Sequence, residues 1–217
     1  MAGLIGDPQS SARLVLTLRR QGVTDDAVLS AIERVDRAAF VAEPLKDIAH
    51  DNTTLPIPCG QSIPRPLVTA RLLHALNVQP GAAQRVFLVG AGSGYTACLL
   101  GEIAHHVFAV ERYRVLAEAA HQRLAAMGMN NVSVFHGDGL DGLEAQAPFD
   151  RILLAGSVKT IPAKLIQQLT PDGQLTGVVM GAKGQLMLRS YSGHKILREA
   201  DFDDALGVLV KGVSHAL

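Results

Sequence analysis

The stretch Arg85-Val86-Phe87-Leu88-Val89-Gly90-Ala91-Gly92-Ser93-Gly94-Tyr95 decides the fold of this chain. Five mostly apolar residues lead into a turn with glycine at every second position, and a helix-like run over 96–103 follows. This order predicts a buried parallel strand, a tight turn and a helix start. Glycine at positions 90 and 92 lets the backbone turn sharply and approach a ligand, and the helix start offers unpaired N–H groups.

The glycine spacing does not match two other nucleotide-binding loops. The dinucleotide fingerprint G-x-G-x-x-G would place its third glycine at Tyr95, and the phosphate-binding Gly-Lys-Ser/Thr run does not occur in the sequence. Taken alone, the turn is also compatible with a tight corner between a strand and a helix.

Two further strands are each predicted to end next to a carboxylate. Residues 107–110 read as a second strand that ends in Glu111, which lies 21 residues after Gly90. A carboxylate at that distance, at the tip of the second strand, is where a ribose diol is held. Residues 132–135 read as a third strand that ends in Gly137-Asp138-Gly139. Because the carboxyl ends of neighbouring parallel strands line one crevice, the three matches together predict a nucleoside-binding α/β fold.

Composition sets the broad class. The 217 residues are 48% apolar without tryptophan, which is typical of a globular enzyme. The 20 Lys and Arg residues balance the 20 Asp and Glu residues, so nothing indicates a nucleic-acid surface. Cys59 and Cys98 suggest neither a disulfide framework nor a metal site. No apolar run approaches the roughly 18 residues of a membrane span, and no secretory signal is evident. We therefore expect a cytoplasmic protein without metal, membrane or nucleic-acid partners.

The rest of the chain is expected to surround this core as a single domain over residues 1–217. Residues 1–80 would supply N-terminal helices and a substrate loop, and residues 81–217 the cofactor-binding sheet. The proline-rich stretch 40–66 is predicted to be irregular, with Gly60-Gln61-Ser62-Ile63 as its functional centre or as a plain linker. A helix from Ile161-Pro162 through Leu169 and a strand over 174–180 are expected, and the last dozen residues are expected to be helical or frayed.

At this point the chain resembles a known family, the S-adenosylmethionine-dependent protein-L-isoaspartate O-methyltransferases. The resemblance covers about residues 12 to 202. The motifs that carry it are Leu55-Pro56-Ile57, Gly60-Gln61-Ser62-Ile63, Val89-Gly90-Ala91-Gly92-Ser93-Gly94-Tyr95, Val110-Glu111-Arg112, Asn131-Val132, Gly137-Asp138-Gly139, Ala147-Pro148-Phe149-Asp150 and Ile161-Pro162.

The resemblance implies a seven-stranded Rossmann-like methyltransferase sheet with helices on both faces. It implies methyl transfer from S-adenosylmethionine, leaving S-adenosylhomocysteine, to the α-carboxylate of L-isoaspartyl residues in damaged proteins, by an enzyme expected to be a monomer. Gln61 and Ser62 would meet the substrate, or merely shape the loop. The residues that would bind the cofactor are Gly90, Ala91, Gly92, Ser93, Glu111, Arg112, Gly137, Asp138 and Gly139, with Glu111 on the ribose and Asp138 near the adenine amino group.

Several positions depart from the family pattern. Ser62 stands where the family usually has threonine, and Pro64 replaces a serine that contributes to the substrate site. Leu88 replaces a glutamate next to the cofactor's methionine end, and Pro58-Cys59 replaces a common Gly-His pair. Two alternatives therefore stay open. The first is a related methyltransferase for another carboxylate, in a modified peptide or a metabolite, and the second is a catalytically weak cofactor-binding scaffold.

Overall fold

The protein is described by a computed structural model over residues 8–214. Two amphipathic helices come first, α1 (Pro8–Arg20) and α2 (Asp26–Arg34). The second helix is capped by Asp25, whose carboxylate accepts the Val28 N–H at 3.1 Å. An aspartate at this position satisfies one of the unpaired N–H groups of the first turn.

The proline-rich stretch is more regular than its composition predicts. Two short 3-10 helices, Arg37–Phe40 and Glu43–Ile48, precede a two-stranded hairpin of β1 (Leu55–Ile57) and β2 (Gln61–Ile63). The expectation of an irregular loop over 40–66 was therefore wrong. Prolines lie at the edge of this small sheet, where a missing N–H costs little.

Helix α3 (Pro66–Leu76) leads into the main sheet. The elements that follow are β3 (Arg85–Val89), α4 (Tyr95–Ile103), β4 (His106–Glu111), α5 (Arg114–Ala126), β5 (Val132–His136), β6 (Phe149–Val158), α6 (Ala163–Gln167), β7 (Leu169–Met180), β8 (Leu186–Ser192) and β9 (Lys195–Asp201). The main sheet contains the seven strands β3 to β9 in the order β5-β4-β3-β6-β7-β8-β9, parallel up to β7 and antiparallel beyond it. The predicted seven-stranded α/β sheet is confirmed.

Both faces of the central strand β3 are buried, as the continuous apolar run predicts. Val86 and Leu88 point into the core shared with the N-terminal helices and α4. Phe87 and Val89 point to the opposite face, where Phe87 stacks on Phe149 with ring centroids 4.9 Å apart. Two-sided burial of this kind fixes the strand register and brings the carboxyl ends of β3, β4 and β5 to one edge.

The C-terminal half differs from the prediction at two places. Helix α6 ends at Gln167, and Leu169 already begins β7, so the predicted helix was too long and the strand too short. Within 206–214 the chain is neither helical nor frayed, because residues of this segment bridge to Ser157 and Tyr113, near the carboxyl ends of β6 and β4. The last three residues of the chain lie outside the described range.

None of the helices within residues 8–214 combines the length and the apolar character that crossing a bilayer requires.

Candidate active site

The glycine turn after β3 folds back onto the next strand. Gly90 and Gly92 have φ angles of 89° and 54°, a region that glycine enters without steric cost. The N–H groups of Gly90 and Ala91 both donate to the Val110 carbonyl, at 2.9 and 3.1 Å. The turn is therefore fastened to the end of β4, next to the predicted ribose-binding carboxylate.

Glu111 is the carboxylate at that strand end, and it is 5% exposed. Its Oε2 accepts the Gly92 N–H at 2.8 Å, and its Oε1 accepts the Tyr113 N–H at 3.0 Å. Two backbone donors thus fix the plane of the carboxylate while leaving lone pairs on both oxygens. Such a group is placed to accept hydrogen bonds from a diol.

Asp138 follows β5 and is held in a similar way. Its Oδ1 accepts the Leu140 N–H at 2.9 Å, which starts the short 3-10 helix Gly139–Asp141. Its Oδ2 accepts the Gly212 N–H at 2.6 Å, from the C-terminal segment. The carboxylate is therefore tied both to its own loop and to residues far along the chain.

A cavity of about 180 Å³ lies between these strand ends. Of the predicted cofactor-binding residues, it is lined by Gly90, Gly92, Glu111, Arg112, Asp138 and Gly139. The cavity is also lined by apolar residues, namely Val89, Val110 and Leu140. The topology thus brings the tips of three successive strands to one cavity.

Three other predicted cofactor residues lie beside this cavity. Ala91 and Ser93 line a smaller adjoining cavity, and the Ser93 hydroxyl is 3.4 Å from the Tyr95 N–H. Gly137 donates its N–H to the Glu111 carbonyl and shapes the strand end. Leu88, where the family pattern has a glutamate, is fully buried in the core on the side of the N-terminal helices.

The hairpin forms the opposite wall of the same cavity. Gln61, Ser62 and Pro64 all line it, and the Gln61 Nε2 is 3.5 Å from the Tyr113 hydroxyl. Ile57 approaches the glycine turn closely, since a Cβ on Gly92 would lie 3.5 Å from its Cδ1. The predicted substrate loop and the predicted cofactor turn therefore face each other across a shared space.

The segment 206–210 lines the cavity as well, and sequence reasoning missed it. The Leu209 N–H donates to the Ser157 carbonyl at 2.9 Å, and the Ser157 N–H donates to the Gly207 carbonyl at 2.7 Å. A Cβ on Gly156 would lie only 2.8 Å from that carbonyl, so glycine is needed for the close approach. The apolar run 206–210 was a weak sequence signal for such a strand-like segment.

Arg112 lines the cavity and also contacts the C-terminal segment after residue 210. Its Nε donates to the Gly212 carbonyl at 2.9 Å, and the Ser214 N–H donates to the Arg112 carbonyl at 3.0 Å. Together with the Asp138 contact, these bonds fasten residues 212–214 to the tips of β4 and β5.

Two basic side chains outside the cavity lining, Arg65 and His106, have partners of their own. Arg65 pairs with the buried carboxylate of Asp204, which Arg71 also contacts at 3.0 Å, so Arg65 is not directed at a substrate. His106 packs on Phe108 and lies 3.1 Å from the Ser133 hydroxyl. Within 8–214, no cluster of three or more His, Cys, Asp or Glu side chains could hold a metal ion.

These features fit S-adenosylmethionine. A Cβ on Gly139 would come within 2.7 Å of Val89 Cγ1, and one on Gly90 within 3.1 Å of Leu209, so the backbone surfaces of the cavity depend on glycine. The two fixed carboxylates suit a sugar diol and an amino group, and the apolar walls suit a base. The cavity needs no phosphate-binding lysine, because this cofactor carries no phosphate.

Comparison with known proteins gives the same family. Residues 9–197 match the family model described as protein-L-isoaspartate(D-aspartate) O-methyltransferase. A relative from Maricaulis maris named protein-L-isoaspartate O-methyltransferase is 40% identical over 206 residues, which cover 94% of this chain and 96% of the relative. One of the same name from Paramagnetospirillum magneticum is 45% identical over 161 residues, or 74% of each chain.

A solved structure of a putative enzyme of this name from Plasmodium falciparum, in complex with S-adenosyl-L-homocysteine, aligns with a TM-score of 0.75 at 23% identity. The alignment covers 92% of this chain and 97% of that one, and this likeness shows the fold. From the family-model match and the relatives above, the chain belongs to the protein-L-isoaspartate(D-aspartate) O-methyltransferase family.

Proposed function

We infer that the protein transfers a methyl group from S-adenosylmethionine to the α-carboxylate of L-isoaspartyl residues in damaged proteins. Membership of the family supports the activity. The observation that carries the assignment of the site is the cavity that the tips of β3, β4 and β5 share with the hairpin. The strand tips offer a place for the cofactor, and the facing hairpin offers an adjacent place for the acceptor.

Within this function, each wall has its own part: the tips of β3, β4 and β5 form the cofactor wall, and the hairpin 55–63 with Pro64 forms the acceptor wall. Glu111 would accept hydrogen bonds from the ribose hydroxyls, and Asp138 would lie at the adenine amino group. The glycine turn would surround the methionine portion. Gln61 and Ser62 would contact the acceptor from the hairpin.

The reaction requires little acid–base catalysis from the protein. A carboxylate with a pKa near 4 is ionised at neutral pH, so no general base is needed to activate it. Bound S-adenosylmethionine supplies the methyl group and a sulfonium that takes up the electron pair of the broken carbon–sulfur bond. The chain has to hold the acceptor oxygen in line and exclude water, and orientation of this kind can lower a barrier by roughly 7–11 kcal/mol.

We also infer that one chain suffices for activity, as expected for a monomer. Every wall of the cavity described above comes from the same chain, from the hairpin through to residues 206–210. Light scattering across a range of concentrations tests this inference, and activity that rises with a dimer population would contradict it.

A second candidate function is methylation of a different carboxylate. Pro64 lines the cavity where the family pattern has serine, so a hydroxyl is missing from the acceptor wall. An acceptor that does not require this hydroxyl, in a modified peptide or a metabolite, would suit the altered wall.

Paired peptides that differ only at one linkage separate these candidates. The enzyme, radiolabelled S-adenosylmethionine and an isoaspartyl peptide are expected to give a base-labile methyl ester, and the aspartyl twin is expected to give none. Equal labelling of both peptides, or labelling of neither when S-adenosylhomocysteine still binds in calorimetry, would contradict the leading function. The latter outcome would favour the second candidate or a scaffold without turnover.

A further inference from the structure

Arg37 is a fully buried cation in the 3-10 helix that follows α2. Burial lowers the pKa of its guanidinium from the ordinary 12.5. Arginine nevertheless keeps its charge in proteins, so a cation is held inside the molecule. Such a group is costly to bury unless its donors meet acceptors, and the acceptors therefore indicate what the side chain does.

The acceptors of Arg37 are four backbone carbonyls on the two flanks of the hairpin. On the side before β1, Nη1 donates to Ala49 at 2.7 Å and more weakly to Asp51 at 3.4 Å, and Nη2 donates to Thr53 at 2.9 Å. On the side after β2, Nη2 donates to Pro64 at 3.1 Å. One guanidinium thus joins the chain entering the hairpin to the chain leaving it.

The same side chain also contacts the base of the cofactor turn. Its guanidinium carbon lies 5.8 Å from the centroid of the Tyr95 ring, and Tyr95 is the first residue of α4, directly after Gly94. The Tyr95 ring is fully buried and meets Phe40 edge-on at 5.4 Å. Arg37 therefore links the acceptor wall to the element that begins at the glycine turn.

The hairpin needs an external support of this kind. Each of its strands has three residues, and an isolated two-stranded hairpin is marginally stable in water. Its inward residues Leu55 and Ile63 anchor it to the core. Gln61 and Ser62, which line the cavity, have to be held at a fixed distance from the glycine turn, and the hydrogen bonds of Arg37 to both flanks can supply that restraint.

We propose that Arg37 is a positioning residue for the acceptor substrate, which fixes the hairpin 55–63 and Pro64 relative to the cofactor turn. The proposal rests on the proposed function for the identity of the acceptor. It assigns Arg37 no contact with substrate or cofactor. Lysine cannot replace it, because the two terminal amino groups of the planar guanidinium reach carbonyls on both flanks, whereas an ammonium offers a single point of attachment.

The test compares Arg37→Lys and Arg37→Met with the control Arg34→Met, which removes an exposed arginine of α2 that pairs with Glu102. For both Arg37 variants, we expect kcat/KM for the isoaspartyl peptide to fall about 10- to 100-fold, mainly through a higher KM. The Kd for S-adenosylhomocysteine is expected to stay within about twofold of wild type, since the carboxylate contacts of the cofactor wall are untouched.

A purely structural role would give a different result. It would lower the apparent kcat in proportion to the folded fraction and leave the peptide KM unchanged, and that outcome would overturn the proposal. An equal loss of cofactor affinity would overturn it too. The Arg34→Met control is expected to match wild type in both constants.

Hydrogen exchange keeps the proposal testable without turnover. Peptides covering 55–63 are expected to exchange slowly in the wild-type protein and at least about tenfold faster in Arg37→Lys, while peptides covering 95–103 stay unchanged. Rapid exchange of 55–63 in the wild type would overturn the proposal, even if the Arg37 variants fail to fold. If the wild type transfers no methyl group, the proposed function is overturned. The hydrogen-exchange result then still tests whether Arg37 fixes the hairpin.

Discussion

The cofactor wall and the acceptor wall of the cavity are held by different kinds of contact. On the cofactor wall, Glu111 ends the parallel strand β4 and Asp138 follows the parallel strand β5, and backbone N–H groups fix their carboxylates. On the acceptor wall, a short hairpin is anchored by the buried side chains of Leu55 and Ile63, and the buried guanidinium of Arg37 bonds to carbonyls on both of its flanks. The sheet positions one wall directly, and we propose that Arg37 positions the other. Substitutions should therefore affect the two walls separately.

The largest effect is expected for Glu111→Ala on the cofactor wall. The change removes the carboxylate and leaves the partly buried N–H groups of Gly92 and Tyr113 without their acceptor. Hydrogen bonds to charged groups contribute about 1.5–3 kcal/mol each, so we expect S-adenosylhomocysteine to bind about 100-fold more weakly. Calorimetric titration measures this, with Glu111→Gln as the matched variant that keeps one acceptor oxygen. If Glu111→Ala binds S-adenosylhomocysteine with near-normal affinity, Glu111 does not bind the ribose.

Asp138→Ala is expected to weaken the same affinity by about tenfold, because one carboxylate contact is lost at a more open edge. Its bonds to Leu140 and Gly212 are lost as well, so the loop and the C-terminal segment loosen together. The titration should be repeated with Asp138→Asn, which keeps the shape. If Asp138→Ala binds as tightly as the wild type, the adenine role is discarded.

Pro64→Ser should affect only the acceptor wall. The Pro64 carbonyl that meets Arg37 is part of the backbone and survives the change, whereas a hydroxyl is added to the cavity. We expect kcat/KM for an isoaspartyl peptide to rise about threefold, the gain from roughly half of one net hydrogen bond. Steady-state kinetics check this against Pro58→Ser, which changes a proline in the turn of the same hairpin. No gain would indicate an acceptor site built for another carboxylate.

The smallest effect is expected in the reactivity of the two thiols. Cys98 lies in the helix that follows the glycine turn, and Cys59 lies in the turn of the hairpin. Burial, and secondarily Glu102, raises the pKa of the Cys98 thiol from 9.0 to about 12, whereas Cys59 lies half-buried in the hairpin turn. At pH 8 a disulfide reagent should therefore modify Cys59 quickly and Cys98 only after unfolding.

The same shift predicts a modest loss of stability at high pH. The thiol of Cys98 ionises more readily in the unfolded chain, so its contribution is fully present below pH 9 and is lost as the pH rises from 9 towards 12. Denaturant unfolding of the wild type and of Cys98→Ala at pH 8 and 10 measures it. Equal pH dependence in both proteins would contradict the assignment.

The cofactor wall could be predicted from sequence, and much of the acceptor wall could not. Glycine spacing and the carboxylates after β4 and β5 are local signals, because neighbouring parallel strands end at the same edge. Arg37 gave no such signal, since its acceptors lie 12 to 27 residues away and are backbone atoms. The wall at 206–210 depends on bonds to Ser157, about 50 residues earlier, and no local pattern encodes that pairing.

The prolines of 40–66 misled the prediction for a related reason. Proline removes backbone donors, which argues against regular structure along a sequence. In the hairpin, Pro56 pairs with Ser62 at the edge of a two-stranded sheet, where its missing donor is tolerated. The helix predicted through Leu169 failed because apolar residues at helical spacing also suit the start of a buried strand such as β7.

The wall formed by residues 206–210 has a consequence for biosynthesis. A nascent chain that has emerged from the ribosome as far as residue 205 already contains every strand of the large sheet, with its glycine turn and both acids. It still lacks the residues that close the cavity beside Gly90 and Gly156. We therefore expect the polypeptide to bind its ligand tightly only after its sheet is complete, so that a ligand-affinity resin separates full-length molecules from prematurely terminated ones.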